Sequence, residues 1–241
     1  MDVFWLAALL DFSPEHYPAA VAHWQRLTDY ELRGPVGERG EFQGLRPPGH
    51  PTFLAFQRLD DGPDRVHLDL HVADPASAAE AAVAVGATMI IESPECEVLA
   101  SPGGLLFCLV SDPASDPAPA TTWPQGQRSI ADQLCIDIPD ERWDREVAFW
   151  SALTGWRVQP SVEKEFASFH RDPRLPLRIL LQRLDEPTGP VRAHLDWATD
   201  DRDAETVRHQ ALGSEVVRRR PGWTVMNGPG GLYCITDRVP R

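Results

Sequence analysis

SPGGLLFCLVSD at Ser101–Asp112 and GPGGLYCITD at Gly228–Asp237 are two versions of one sequence block. Three further pairs precede them in the same order: AHWQRLTDY at Ala22–Tyr30 with AFWSALTGW at Ala148–Trp156, AFQRLDD at Ala55–Asp61 with LLQRLDE at Leu180–Glu186, and VHLDLHVAD at Val66–Asp74 with AHLDWATDD at Ala193–Asp201. Because all the pairs keep one order at a shift of about 126 residues, the sequence predicts a tandem duplication.

Each half also runs twice through the same succession of elements. In the second half, apolar spacing and turn residues predict a first module with a strand Gln133–Ile138, a helix Glu141–Thr154 and strands Arg157–Pro160, Ala167–His170 and Arg178–Arg183. Asp140 is the predicted N-cap of that helix, and Gly155 follows its end. The next module has a strand Arg192–Thr199, a helix at about Asp201–Leu212 ended by Gly213, and strands Glu215–Arg219, Thr224–Asn227 and Leu232–Thr236. In the first half, Asp74 and Pro75 start a helix over Ala76–Val85 that Gly86 ends. The pattern predicts an α+β fold of four βαβββ modules.

A proline-rich segment separates the two halves. Residues 112–129 contain Pro113, Pro117, Pro119 and Pro124, and proline restricts φ and removes a hydrogen-bond donor. We therefore expect one domain at residues 1–111, a linker without regular secondary structure at 112–129, and a second domain at 130–241. Trp123 is the residue expected to anchor the linker against a domain.

The charge and apolar patterning exclude some classes of partner. The chain has 241 residues, 42% of them hydrophobic, and a formal net charge of −13. Nucleic acids and anionic membranes are poor partners for such an acidic chain, because binding them requires clustered basic residues. The apolar run Val3–Leu10 is too short to cross a bilayer and is interpreted as a buried strand. Without a secretory signal or a disulfide pattern among the four cysteines, we expect a reduced, cytoplasmic protein.

Paired βαβββ modules carrying these blocks resemble the vicinal-oxygen-chelate superfamily, which includes glyoxalase I, bleomycin-resistance proteins, fosfomycin-resistance enzymes and extradiol dioxygenases. VHLDLHVADP, the FW pair before a TGW turn, and SPGGLLFCL are most similar to its glyoxalase-like subgroup, which is common in actinobacteria. The resemblance covers nearly the whole chain. It implies two glyoxalase-like domains with curved, mostly antiparallel sheets, each forming a cleft for a small molecule. Modules can also exchange partners across such a repeat, so pairing of the second module with the third is the alternative. Because one such fold hosts many chemistries, it does not by itself specify a function.

The resemblance also assigns candidate site residues. His67 and His194 stand where metal-dependent members place a first-strand histidine ligand, whereas Cys108 and Cys234 stand where those members usually have a glutamate. Further polar candidates on the matching strands are Gln57, Gln182 and Gln133. A metal in the second half would have His194, Cys234, Gln182 and Gln133, with zinc or another divalent ion as the cofactor. Since the glutamate is missing, we expect no tightly bound metal and no cofactor.

Strand alternation adds two aspartates to the candidates. His67, Asp69 and His71 share one face of their strand, and His194 and Asp196 share a face of theirs. Such a polar row either lines a wet cleft or forms structural hydrogen-bond pairs. Trp223, before the final hairpin, is a candidate to face the pocket. Cys108 and Cys234 are also interpreted as core or pocket-floor residues, because their neighbours are apolar. Cys96 and Cys135 carry no functional signal.

The function predicted from the sequence is small-molecule binding in one or both clefts. The first cleft would have His67, Asp69, Gln57 and Cys108, and the second His194, Asp196, Gln182, Gln133, Cys234 and Trp223. The alternative is a metal-dependent, glyoxalase-type lyase or isomerase acting on a small oxygenated substrate, with Asp196 as its catalytic base. An extradiol dioxygenase is excluded on the sequence, because two histidines and a glutamate do not fall in one half. The expected assembly is a monomer or a homodimer.

Overall fold

A computed structural model describes residues 1–93, 96–114, 116–170 and 172–240. The first half contains two βαβββ modules. Their elements are β1 (Trp5–Phe12), α1 (Tyr17–Thr28), β2 (Glu31–Val36), β3 (Phe42–Arg46) and β4 (Leu54–Arg58), followed by β5 (Arg65–His71), α2 (Pro75–Ala84), β6 (Thr88–Ile91), β7 (Glu97–Ala100) and β8 (Leu106–Val110). The buried strand predicted at Val3–Leu10 is β1, whose eight residues are all buried.

The second half repeats the modules after a two-residue strand, β9 (Thr121–Thr122). Its elements are β10 (Arg128–Pro139), α3 (Trp143–Thr154), β11 (Val158–Pro160), β12 (Phe166–Phe169) and β13 (Arg178–Leu184), followed by β14 (Arg192–Thr199), α4 (Arg202–Ala211), β15 (Glu215–Arg219), β16 (Trp223–Gly228) and β17 (Gly231–Thr236). The predicted order of elements is confirmed throughout this half. The strand predicted at Gln133–Ile138 is longer at both ends than its apolar core indicates.

The strands form two mixed sheets. The order in the first is β2-β3-β4-β1-β5-β8-β7-β6, and in the second β11-β12-β13-β10-β14-β17-β16-β15. The pairs β5–β8 and β14–β17 are parallel, whereas the hairpin pairs beside them are antiparallel. Within the described residues neither sheet closes into a barrel, so the predicted α+β class with two open sheets is confirmed.

Contacts divide the chain into two compact units that cut across the halves. Unit 1 consists of Met1–Ala8, Val66–Asp116 and Leu134–Ala193, and therefore holds the second and third modules. Unit 2 consists of Leu9–Arg65, Pro117–Gln133 and His194–Arg241, and holds the first and fourth. No helix among the described residues has the length and apolarity that a membrane crossing requires.

The predicted helix-end signals are confirmed at Asp74 and Gly155 and not at Asp140. The side chains of Asp74 and Asp201 accept hydrogen bonds from the backbone N–H groups of Ser77 and Ala204, which caps α2 and α4. Gly155 ends α3 in the left-handed conformation, with φ of 73°. The prediction that Asp140 caps α3 was wrong. Asp140 lies in a 3-10 turn before the helix, and its carboxylate accepts from Arg183 Nε at 2.5 Å instead.

The linker prediction needs one correction. Residues 121 and 122 form β9 and pair with Ser129 and Arg128 at the start of β10, so part of residues 112–129 is regular structure. The described part of the segment contains no helix. Trp123 is anchored as expected: its indole N–H donates to Ser129 Oγ at 2.7 Å, and the Arg208 guanidinium lies 3.6 Å from its ring centroid.

The interior of unit 2 contains a chain of polar side chains. His23 Nε2 contacts Ser214 Oγ at 3.0 Å, Ser214 Oγ contacts the Tyr233 hydroxyl at 2.6 Å, and that hydroxyl contacts His209 Nδ1 at 2.9 Å. His209 Nε2 in turn lies 3.0 Å from Glu205 Oε1. All five side chains are buried. In the duplicated block, the position of His23 corresponds to Phe149, which packs against Trp150 in unit 1.

Protonation of His23 is expected to weaken the fold in acid. Burial, with the nearby charges of His209 and Arg26, lowers the pKa of His23 from 6.5 to about 4. The unfolded chain therefore takes up the proton first, and stability falls as the pH drops from 6.5 to 4, then levels off. The full loss is about 3 kcal/mol. The pKa of the buried His209 is also lowered, so His23→Phe keeps part of this acid sensitivity. Urea unfolding across this range should therefore show a steeper loss of stability in the wild type than in His23→Phe, and equal pH slopes would contradict the assignment.

Candidate functional site

The best-defined cluster lies where β14 runs parallel to β17. Asp196 stands opposite Cys234 in this register, and His194 lies two residues before Asp196 on the same face. His194 Nε2 is 3.3 Å from Asp196 Oδ1 and 3.7 Å from Cys234 Sγ. Gln133, on β10, donates its amide N–H to the other oxygen of Asp196. An imidazole, a carboxylate, a thiol and an amide thus meet on one face of the second sheet.

Asp196 is a charged group held inside the protein. Its side chain is only 4% exposed, and that of His194 is 17% exposed. Burial opposes ionisation of the carboxyl, but the hydrogen bonds from His194 and Gln133 and the charge of Arg238 outweigh burial and lower the pKa of Asp196. The carboxylate is therefore ionised at neutral pH, and His194 is the member of the pair that solvent reaches more readily.

The first half repeats this cluster in unit 1. Asp69 on β5 stands opposite Cys108 on β8, in the same parallel register as Asp196 and Cys234. His67 Nε2 lies 3.4 Å from Asp69 Oδ1, and His67 and Cys108 are buried. A hydrogen bond to Cys96 and burial both raise the pKa of the Cys108 thiol. The duplicated His–Asp–Cys arrangement is the feature that the two halves share most closely in chemistry.

Comparison with known proteins gives the family of both halves. Residues 8–110 and 133–236 each match the family model described as a glyoxalase-like domain. The chain belongs to the glyoxalase-like domain family. No curated protein matches it. The resemblance to the vicinal-oxygen-chelate superfamily is thereby confirmed, with two tandem glyoxalase-like domains.

Solved structures share the fold of this glyoxalase-like protein at low sequence identity. The Mn(II)-bound glyoxalase from Novosphingobium aromaticivorans is 17% identical with a TM-score of 0.60, over 99% of this chain and 83% of that one. The 2,2',3-trihydroxybiphenyl 1,2-dioxygenase from Sphingomonas wittichii strain RW1 is 14% identical with a TM-score of 0.65, over 98% and 90%. At such identities the similarity establishes the fold alone.

The structure brings together part of each predicted residue set. In the second half, His194, Asp196, Cys234 and Gln133 meet in unit 2. Trp223 stands opposite Thr236, two residues from Cys234, and so shares its face. Gln182 is part of unit 1, where its amide oxygen lies 3.6 Å from Cys135 Sγ.

The residues predicted for the first cleft are also divided between the two compact units. His67, Asp69 and Cys108 meet in unit 1, whereas Gln57 belongs to unit 2, where it stands opposite Phe42 in the β3–β4 hairpin. His71, on the same strand face as His67, is buried, and its Nδ1 lies 2.9 Å from the Asp112 carbonyl oxygen.

Two cysteines had been given no role from the sequence, and the structure corrects that interpretation. The Cys96 and Cys108 thiols are hydrogen-bonded to each other, and Cys135 Sγ contacts both Gln182 and, at 4.0 Å, Asp137. In the hairpin around the PGG turn, Val98 stands opposite Cys108, and Cys96 lies two residues before Val98, just outside β7. The pairing register was needed to recognise it.

The second-half cluster also meets the requirements of a zinc-type ion better than the sequence indicated. No glutamate is present at the position of Cys234, but Asp196 places a carboxylate directly opposite it on the neighbouring strand. The donor atoms of His194, Asp196 and Cys234 lie within 4.8 Å of one another. Imidazole nitrogen, carboxylate oxygen and thiolate sulfur are all zinc ligands. These three residues fit such an ion.

Proposed function

We propose that this glyoxalase-like protein binds a small oxygenated molecule at the cluster of His194, Asp196 and Cys234. The observation that carries the proposal is the repetition of one His–Asp–Cys cluster at the same strand register in both halves. Polar and charged groups are costly to bury, because they lose their hydration. Of the two copies, the second has the more exposed imidazole and the neighbouring aromatic ring of Trp223.

Each residue has a separate part in binding. Asp196, held ionised by Gln133 and Arg238, fixes the orientation of the His194 imidazole. The ligand would contact the His194 imidazole and the indole of Trp223, which lie on one face of the sheet. Asp196 was predicted as a catalytic base. Because its pKa is lowered and its side chain is buried, we propose instead that it positions His194.

A metal-dependent lyase or isomerase is the second candidate, and the fit of the donor set favours it. His194, Asp196 and Cys234 would hold the ion. A bound divalent metal would supply Lewis-acid polarisation of a substrate oxygen. The residues of the chain would keep the roles given above, with Cys234 as a deprotonated ligand rather than a thiol.

Ligand-detected NMR tests the first candidate. Metal-free protein is mixed with catechol and, separately, with pyruvate as small oxygenated probes. We expect at least one to bind, and His194→Ala to weaken it about tenfold, the equivalent of roughly 1.4 kcal/mol. His67→Ala is the matched control in the other half. Binding of neither probe, or equal binding by wild type and His194→Ala, would reject the site.

Calorimetric titration with zinc decides between the candidates. Because the Asp196 carboxylate is already paired with His194, we expect no submicromolar zinc binding to purified wild-type protein. Tight binding that His194→Ala or Cys234→Ser abolishes, and that His67→Ala leaves in place, would make the metal-dependent enzyme the leading candidate.

A further inference from the structure

The first-half cluster contains a second thiol that the second-half cluster lacks. Val98 on β7 stands opposite Cys108 on β8, and Cys96 lies two residues before Val98, so the two cysteines share a face. Their thiols are hydrogen-bonded. In the second half, Val225 stands opposite Cys234, and the residue two before it is Trp223. One half therefore has a dithiol where the other has a single thiol and an indole.

The two thiols differ in accessibility and in chemistry. Cys108 is 7% exposed, whereas Cys96 is half-buried at the start of its strand. The hydrogen bond from Cys108 lowers the pKa of Cys96. A half-buried thiol in contact with a fully buried one has the arrangement of a reversible dithiol, in which the outer sulfur attacks and the inner sulfur resolves.

We propose that Cys96 and Cys108 form a redox-active pair that low-molecular-weight disulfides oxidise to an intramolecular disulfide. The Cys96 thiolate attacks one sulfur of the small disulfide, forms a mixed disulfide and expels a thiolate, which takes up the Cys96 proton. The Cys108 sulfur then attacks Cys96 Sγ, and the second small thiol leaves with the Cys108 proton. The protein loses two electrons and two protons, and the small disulfide gains both.

This proposal does not depend on the proposed ligand site, which lies in the other half. Oxidation moves the Cys108 sulfur from a thiol into a disulfide beside His67 and Asp69. Cys234 has Trp223 in place of a second cysteine, so its cluster keeps its thiol. The duplication thus provides an internal control for the chemistry.

The experiment treats native, full-length protein with glutathione disulfide, blocks remaining thiols with N-ethylmaleimide under denaturing conditions, and maps peptides by mass spectrometry. Of the four cysteines, we expect two to disappear in wild type, with a Cys96–Cys108 linked peptide that dithiothreitol removes. Cys135→Ser and Cys234→Ser are matched controls that should also lose two. Cys96→Ser should form no linked peptide.

Three results would overturn the inference: four unmodified thiols in wild type, a glutathione adduct that persists on Cys96, or a linked peptide between other cysteines. Because the wild-type peptide map identifies the bond directly, the test stands even if Cys108→Ser fails to fold. Circular dichroism of Cys96→Ser checks that its missing bond does not reflect unfolding.

Discussion

Replacing Glu205 by alanine is expected to lower the free energy of unfolding by about 3–5 kcal/mol, because it leaves a buried cation without its counter-charge. Glu205 is fully buried and accepts hydrogen bonds from Arg208 at 2.6 Å and from Ser129 at 2.5 Å. Gln127 also donates to it at 3.2 Å. Arg208 and His209 would lose the carboxylate they share, in the interior of unit 2. Urea unfolding at pH 7 measures the effect.

Asp203→Ala is the control on the same helix. Its carboxylate pairs with Arg219 at 2.9 Å, but its side chain is 83% exposed, so we expect a loss within about 1 kcal/mol. Glu205→Gln keeps the shape and removes the charge, and should fall between the two. Equal losses for Asp203→Ala and Glu205→Ala would show that the buried network contributes no more than a surface ion pair.

This network also marks a limit of the sequence analysis. The segment RDAETVRHQA was assigned to a helix correctly, but Glu205, Arg208 and His209 have the composition of a solvated face. Helical periodicity shows which residues share a face of the helix, but it does not show whether that face packs against another element or is exposed to solvent. Burial here depends on α1 and the linker, which contribute His23 and Gln127 from distant positions in the chain.

The fold was more predictable than the pairing of its modules. Repeated blocks, Asp74 with Pro75 at a helix start and the glycines after the helices are local signals, and they placed the elements. Asp140 has the same local signal as Asp201, but Arg183 competes for its carboxylate through a tertiary contact. The grouping of modules into the two compact units is likewise decided by long-range packing, which strand and helix patterns leave undetermined.

Alternation of side chains along a strand predicts only those parts of the candidate site that lie on one strand. Alternation placed His194 with Asp196 and His67 with Asp69, because these pairs are two residues apart on one strand. Whether Gln57 and Gln182 belong to these clusters depends on how the modules pack together. Each of the two lies in a different compact unit from the cluster to which the sequence assigned it. Cys96 required the exact hairpin register, so a thiol next to the first cluster was missed.

The repeated PGG turn has a packing explanation that predicts a large effect of a single methyl group. A Cβ on Gly230 would lie 2.0 Å from Trp24 Nε1, and one on Gly103 would lie 2.2 Å from Val191 Cγ2. Trp24 is a buried indole packed between Trp197 and Tyr233, so it has little room to move. The first glycine of each turn is therefore required by close approach of the backbone to a packed side chain.

Gly230→Ala and Gly103→Ala are each expected to destabilise the protein by about 3 kcal/mol or more, through overpacking. The second glycine of each turn separates this effect from backbone strain. Gly104 and Gly231 have φ of 96° and 85° with nothing near the added Cβ, so alanine there should cost about 1–2 kcal/mol. Gly222→Ala meets neither obstacle and should be nearly neutral. Denaturant unfolding with unchanged m-values measures the series. If Gly230→Ala cost no more than Gly231→Ala, contact with Trp24 would not explain the first glycine of this turn.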